Sequence, residues 1–68
     1  MFKIEFVGFR SPTEFPMQVA DGYNAHDYLP SFDEQKFQSK RQAETWMMAN
    51  HKGPDADGVC AMFMVVED

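Results

Sequence analysis

Val59-Cys60-Ala61-Met62-Phe63-Met64-Val65-Val66-Glu67 is the stretch on which the fold turns. Successive side chains of a strand point to opposite faces. Val59, Ala61, Phe63 and Val65 therefore face one way, and Cys60, Met62, Met64 and Val66 the other. Both faces are apolar, and a strand of that kind is normally central and covered twice. The expectation is a closing strand over residues 59–67 in the middle of a sheet.

Upstream, Asp55-Ala56-Asp57-Gly58 reads as a tight turn into that strand. Lys52-Gly53-Pro54 reads as a helix stop: Gly supplies a left-handed position after the last turn and Pro forbids continuation. The helix itself spans about residues 40–51. Ala43, Trp46 and Met47 are spaced three and four apart and form its buried stripe. Two capping boxes compete for its start, one at Ser31-Phe32-Asp33-Glu34 and one at Ser39-Lys40-Arg41-Gln42. Ser39 fits better, because Phe37 lies off the stripe. Residues 34–38 are then either a short third strand or the first turn of the helix.

At the other end, residues 2–9 alternate, with Phe2, Ile4 and Phe6 on one face and Lys3 and Glu5 on the other. Gly8 marks the strand's end or a bulge. Ser11-Pro12 signals a turn. Residues 15–20 alternate again through Phe15, Met17 and Val19, and Pro16 confines that strand to an edge. The simplest pairing of these two strands is a hairpin. Residues 23–31 have no period and read as an ordered loop pinned by Tyr23, Tyr28 and Leu29; loops of this length in small domains are often functional.

The order is β-β-(β)-α-β. It gives an α+β domain covering residues 1–68: a small, mainly antiparallel sheet of three or four strands with one helix packed on one face. One helix shields one face only. The face bearing Cys60, Met62 and Met64 needs another cover, either the 23–32 loop, a second copy or a different protein.

Composition narrows the function. The chain has 68 residues, one Cys, seven Phe, two Tyr, one Trp and six Met. A domain this small has a marginal core, and large apolar side chains compensate where disulfides cannot form. The net charge of −5 disfavours direct contact with nucleic acid. It suits solubility or imitation of nucleic acid in a partner's basic groove. No run is long enough to span a membrane. Residues 1–9 form a strand and not a leader, so a cytoplasmic location is expected.

Catalytic patterns are weak. His26, His51, Cys60, Asp55 and Asp57 lack the spacing of a zinc or calcium site, and no cofactor or metal is expected. Cys60 sits in apolar surroundings that raise a thiol pKa. Asp33-Glu34 and Glu67-Asp68 are adjacent pairs whose side chains diverge on a strand. The expectation is a non-enzymatic, protein-binding module. Its contact residues would be Tyr23, Asp27, Tyr28, Asp33 and Glu34 in the loop, with tyrosines as anchors and carboxylates as rim. Met62 and Met64 would provide an adaptable apolar surface. The alternative is a homodimeric structural or accessory subunit joined through the closing strand.

Phe37-Gln38-Ser39-Lys40-Arg41-Gln42-Ala43-Glu44-Thr45-Trp46, with Gly53 and an apolar closing strand after it, resembles an arrangement in short phage and mobile-element proteins. They often show F-x-S-x-x-x-A-E-x-W leading to a terminal strand. The resemblance covers the last half of the chain, and its motif is mostly cap and core. It implies a small accessory protein that blocks a host enzyme or defence complex; with the acidic charge, the expected target is a host defence or nucleic-acid-handling protein. No functional residue carries over from it.

Overall fold

The computed structural model describes residues 1–17 and 22–68. Strand β1 is Phe2–Arg10, the helix α1 is Lys40–Asn50 and strand β2 is Cys60–Glu67. Two single-turn 3-10 segments, Ala25–Asp27 and Phe32–Glu34, lie between β1 and α1. The class is α+β, with one α-helix and a two-stranded antiparallel sheet among the described residues.

The pairing joins the two ends of the sequence. Phe2 lies opposite Glu67, Ile4 opposite Val65, Phe6 opposite Phe63, Phe9 opposite Ala61 and Arg10 opposite Cys60. The register slips by one between Phe6 and Gly8, so Val7 is the extra residue of a bulge. That slip decides a packing question. Strict alternation puts Phe9 on the opposite face from Ile4, whereas the inserted residue returns it to the same face. Ile4, Phe9, Val59 and Ala61 are all buried.

This long-range pairing uses one edge of β1, and the expected hairpin between the first two strands would use the other. Met17 donates its backbone N–H to Phe9 O at 2.8 Å, but the rest of the expected second strand falls on residues 18–20, outside the described residues. In place of a strand over 34–38 there is a single bridge. Phe2 and Phe37 exchange backbone hydrogen bonds of 2.7 and 2.9 Å. Both Met17 and Phe37 lie on the side of β1 away from β2. The closing strand is therefore not central: among the described residues β2 has a strand neighbour on one side only.

The helix begins where its cap predicts. Ser39 is extended and its Oγ accepts from Gln42 N–H at 3.1 Å. Gln42 Oε1 in turn accepts from Gln38 N–H at 3.2 Å, a capping box shifted by one residue. The end differs from expectation. His51 turns to an extended conformation with φ −68° and ψ 130°. The left-handed Gly53 comes two residues later and donates its N–H to His51 Nδ1 at 2.8 Å. An imidazole, and not a left-handed glycine at the cap, thus organises the exit.

One apolar layer holds the molecule. Ala43 is fully buried, and Trp46 and Met47 pack against the cluster of Ile4, Leu29 and Phe32. Tyr28 joins Phe9, Val59 and Ala61 in a second cluster. The 23–34 segment therefore lies on the same face as α1, not on the face bearing Cys60, Met62 and Met64. The reason is that its two 3-10 turns project Tyr28, Leu29 and Phe32 together, and Phe32 packs on Phe63 with ring centroids 4.8 Å apart. The other face is covered differently. Lys3, Glu5 and Arg10 of β1 stand opposite Val66, Met64 and Cys60, so their aliphatic stems can lie along the apolar side chains. Phe15 and Pro16 approach the same face, at Met62 and Gly8. Met64 remains 49% exposed.

Candidate functional site

The residues singled out from sequence separate into three places. Tyr23, Asp27 and Tyr28 meet the segment after the helix in an open groove of about 420 Å³, whose other walls include Lys52, Gly53 and Asp55. Asp33 lies on the opposite side of the loop, beside Lys3, Glu5 and Lys36. Glu34 is exposed at the end of the second 3-10 turn. Met62 and Met64 lie on the outer face of the sheet.

Asp55, which the sequence marks as a turn residue without the spacing of a metal ligand, is the organiser of the first groove. Its Oδ1 accepts from Asp57 N–H at 2.9 Å and Val59 N–H at 3.0 Å, and its Oδ2 accepts from the Tyr28 hydroxyl at 2.8 Å. Its backbone N–H donates to Val59 O at 2.9 Å. The aspartate thus closes the turn and ties the loop to the start of β2. Lys52 N–H donates to Tyr28 O at 2.8 Å, a second tie between the same segments.

These contacts make the groove sensitive to pH at both extremes. The Tyr28 hydroxyl bond, with help from backbone N–H donors, holds the Asp55 carboxyl below its ordinary value. A depressed carboxyl contributes stability above its unfolded value and loses it as pH falls through the folded value. Burial, then the bond to Asp55, pushes the Tyr28 phenol up to about 12. A raised phenol contributes stability below about pH 10 that is lost as pH rises through 12. We expect Asp55→Asn to flatten the acid limb of a melting-temperature profile between about pH 5 and 2, and Tyr28→Phe to flatten the limb above about pH 10. Profiles unchanged by these substitutions would show that the pair carries no proton linkage.

His26 was not singled out from sequence as a loop contact, yet it pins the loop's outer side. Its Nδ1 lies 3.1 Å from Asn24 Oδ1, its Nε2 lies 3.0 Å from Asp33 Oδ1, and its ring packs at 4.9 Å on Phe32. Asn24 also caps the first 3-10 turn by accepting from His26 N–H at 3.0 Å. The signal available in sequence was an Asn followed by a short apolar-spaced turn. Asp33 is thereby occupied within the chain.

Cys60 Sγ lies 3.9 Å from His51 Nε2, which invites comparison with a thiol–imidazole pair. The hydrogen bonds of His51 argue otherwise. Nδ1 accepts from Gly53 N–H, so the ring hydrogen sits on Nε2 and points at Ala61 O, 2.8 Å away. The nitrogen nearest the thiol is a donor already engaged and has no lone pair for a thiol proton. Burial pushes the Cys60 thiol up, the reverse of what a nucleophile needs. We expect alkylation of Cys60 at neutral pH to run at least about tenfold slower than for a free cysteine and to become fast on unfolding. Equal rates in native and denatured protein would contradict this.

Among the described residues, no group of three or more His, Cys, Asp or Glu side chains is placed to hold a metal ion. No helix there is long and apolar enough to cross a membrane. Comparison with known proteins finds no matching family model, no matching curated protein and no matching solved structure.

Proposed function

We propose that the protein is a small acidic protein-binding module whose groove beside Tyr23 and Asp27 takes a basic side chain of its partner. The observation that carries this reading is the convergence of two tyrosines and two aspartates around one open groove of about 420 Å³. Tyr28 and Asp55 form its fixed floor through their mutual bond. Tyr23, partly exposed and packed at a tilt on Phe9 with ring centroids 5.6 Å apart, offers a held ring. Asp27 is exposed. An aromatic ring beside a carboxylate suits an arginine or lysine through combined cation–π and charge contacts. The net charge of −5 steers such a partner toward it.

The resemblance to phage and mobile-element accessory proteins extends this reading to an inhibitor of a host defence or nucleic-acid-handling protein in the cytoplasm. Such targets carry basic grooves that an acidic module can occupy. The test is affinity capture from host lysate with wild-type, Tyr23→Ala and Asp27→Lys baits, and with Lys40→Ala as control. The expected result is a partner retained by wild type and control, lost by the other two, and released as salt rises. A partner held equally by all four baits sinks the groove reading.

A second reading is a homodimeric subunit, which would complete a four-stranded sheet from two copies of the present pair. It is favoured by one observation, the margin of β2 that no strand pairs among the described residues.

A further inference from the structure

The register of the sheet fixes which backbone groups of β2 face outward. Phe2 sends its N–H and C=O to Phe37, and Phe9 sends its C=O to Met17. Both therefore point away from β2, and their opposite numbers Glu67 and Ala61 point away from β1. By alternation Phe63 and Val65 do the same. Ala61 O is taken by His51 Nε2. The N–H and C=O of Phe63 and Val65 have no hydrogen-bond partner among the described residues.

Margins of sheets in monomeric proteins are blunted by lysine, proline or a bulge. Here the bulge is on β1, and residues 62–66 carry no charge and no proline. The helix does not close the margin. Met47 and Met48 flank an open groove along it, and Met48 is 81% exposed.

We propose that β2 pairs with β2 of a second copy, antiparallel, about a twofold axis through Met64. This rests on the homodimer reading and assigns its register. The two outward residues flank Met64 symmetrically, so the axis lets Phe63 of each copy exchange both backbone bonds with Val65 of the other. Met64, half exposed in one copy, meets its own mate in a non-hydrogen-bonded pair, where side chains stand closest. Met62 meets Val66 of the second copy. With the axis at Met64, Ala61 stands opposite Glu67 of the second copy, beyond the four bonds of the central pairs, whereas an axis moved to Phe63 would need Ala61 O, which His51 holds, in the pair next to its centre. An axis moved to Val65 would bring Glu67 of the second copy against Phe63. The paired segment brings no like charges together, and Asp68 just beyond it is neutralised by Lys3 and Lys36. A strand apolar on both faces is thereby made central, the position its composition suits. A specific contact needs about 1,000 Å² in total, or roughly 500 Å² per copy. That is a modest share of the 4679 Å² each copy exposes.

The test joins mass to register. Sedimentation of wild type at about 100 μM, well above a micromolar Kd, is expected to give twice the chain mass, with Met64→Lys returning it to one. In a Cys60→Ala background, Met64→Cys is expected to oxidise to a covalent dimer. Its Cα atoms would stand about 4.5 Å apart, within disulfide reach. Val66→Cys in the same background should not, because its mate lies about four residues away along the strand, roughly 13 Å. A wild-type monomer at that concentration overturns both the register and the homodimer reading, and leaves the margin to an extended segment of another protein. A dimer that Val66→Cys cross-links and Met64→Cys does not overturns the register alone. Circular dichroism and Trp46 fluorescence confirm that each variant is folded.

Discussion

Leu29→Ala is expected to remove about 3 kcal/mol of unfolding free energy, within the 2–5 kcal/mol usual for a buried leucine truncated to alanine. Among the described residues, Leu29 is the largest side chain with no exposure at all. It sits where the 3-10 turns, β1 and the helix meet, among Ile4, Phe32, Trp46 and Met47. Its backbone is held too, since Leu29 N–H donates to Ala25 O and Leu29 O accepts from Phe32 N–H. The surrounding groups are thus poorly placed to collapse into the vacated space, so a cavity cost adds to the lost transfer free energy. A chain of 68 residues has a total stability of about 3–10 kcal/mol, so the variant would sit near the edge of folding. Guanidinium unfolding followed through Trp46, the single tryptophan, measures it. A loss below about 1 kcal/mol would mean that the site is not the packed centre described above.

Gly58→Ala is expected to cost about 2–5 kcal/mol, from two separable causes. Gly58 has φ +82°, a conformation that costs an L-residue about 1–2 kcal/mol. A Cβ built there lies 2.8 Å from Pro12 Cγ and 3.3 Å from Pro12 Cδ, and forcing such an overlap adds about 1–3 kcal/mol. Gly53 provides the control: its φ is +76°, yet a Cβ there meets nothing within 4 Å. Gly53→Ala should therefore show the conformational cost alone. The difference between the two variants measures how firmly the Pro12 turn is seated against the Asp55 turn. Introducing Pro12→Ala beside Gly58→Ala should bring the cost down to the Gly53 level. If the two glycine variants unfold at the same denaturant concentration, the Pro12 contact is not a constraint.

What could be read from the sequence follows the range of the interaction. The helix was legible because its signals are local: Ser39 caps, and Ala43, Trp46 and Met47 repeat within two turns. The strand periods of Phe2, Ile4 and Phe6, and of Val59 through Val66, were legible for the same reason. Which strand pairs with which was not, because alternation names a face and no neighbour. The bulge at Val7 was flagged by Gly8, but its effect on Phe9 needs the partner strand to define it. That the loop packs on the face of α1, and is not one of the three covers open for the face of Cys60, was not legible, because residues 23–31 show no period. Two short 3-10 turns leave too few residues to establish one. Of the candidate site, Tyr23, Asp27 and Tyr28 do come together. Asp55 was underestimated, since nothing in a turn motif says that a distant tyrosine will reach it. Asp33 is drawn away by His26, a contact seven residues long that depends on both turns.

The pairing of β1 with β2 also governs how the chain acquires its shape as it is made. Arg10 and Cys60 are opposite numbers, so β1 leaves the ribosome without β2 to zip to until about fifty further residues have been translated. At roughly 5–20 residues per second that is a wait of several seconds, far longer than a helix needs to form. The α1 segment and the 3-10 turns can flicker into place meanwhile, but their shared apolar face has no floor. Nascent chains should accordingly resist proteolysis only once β2 has emerged, and all at once.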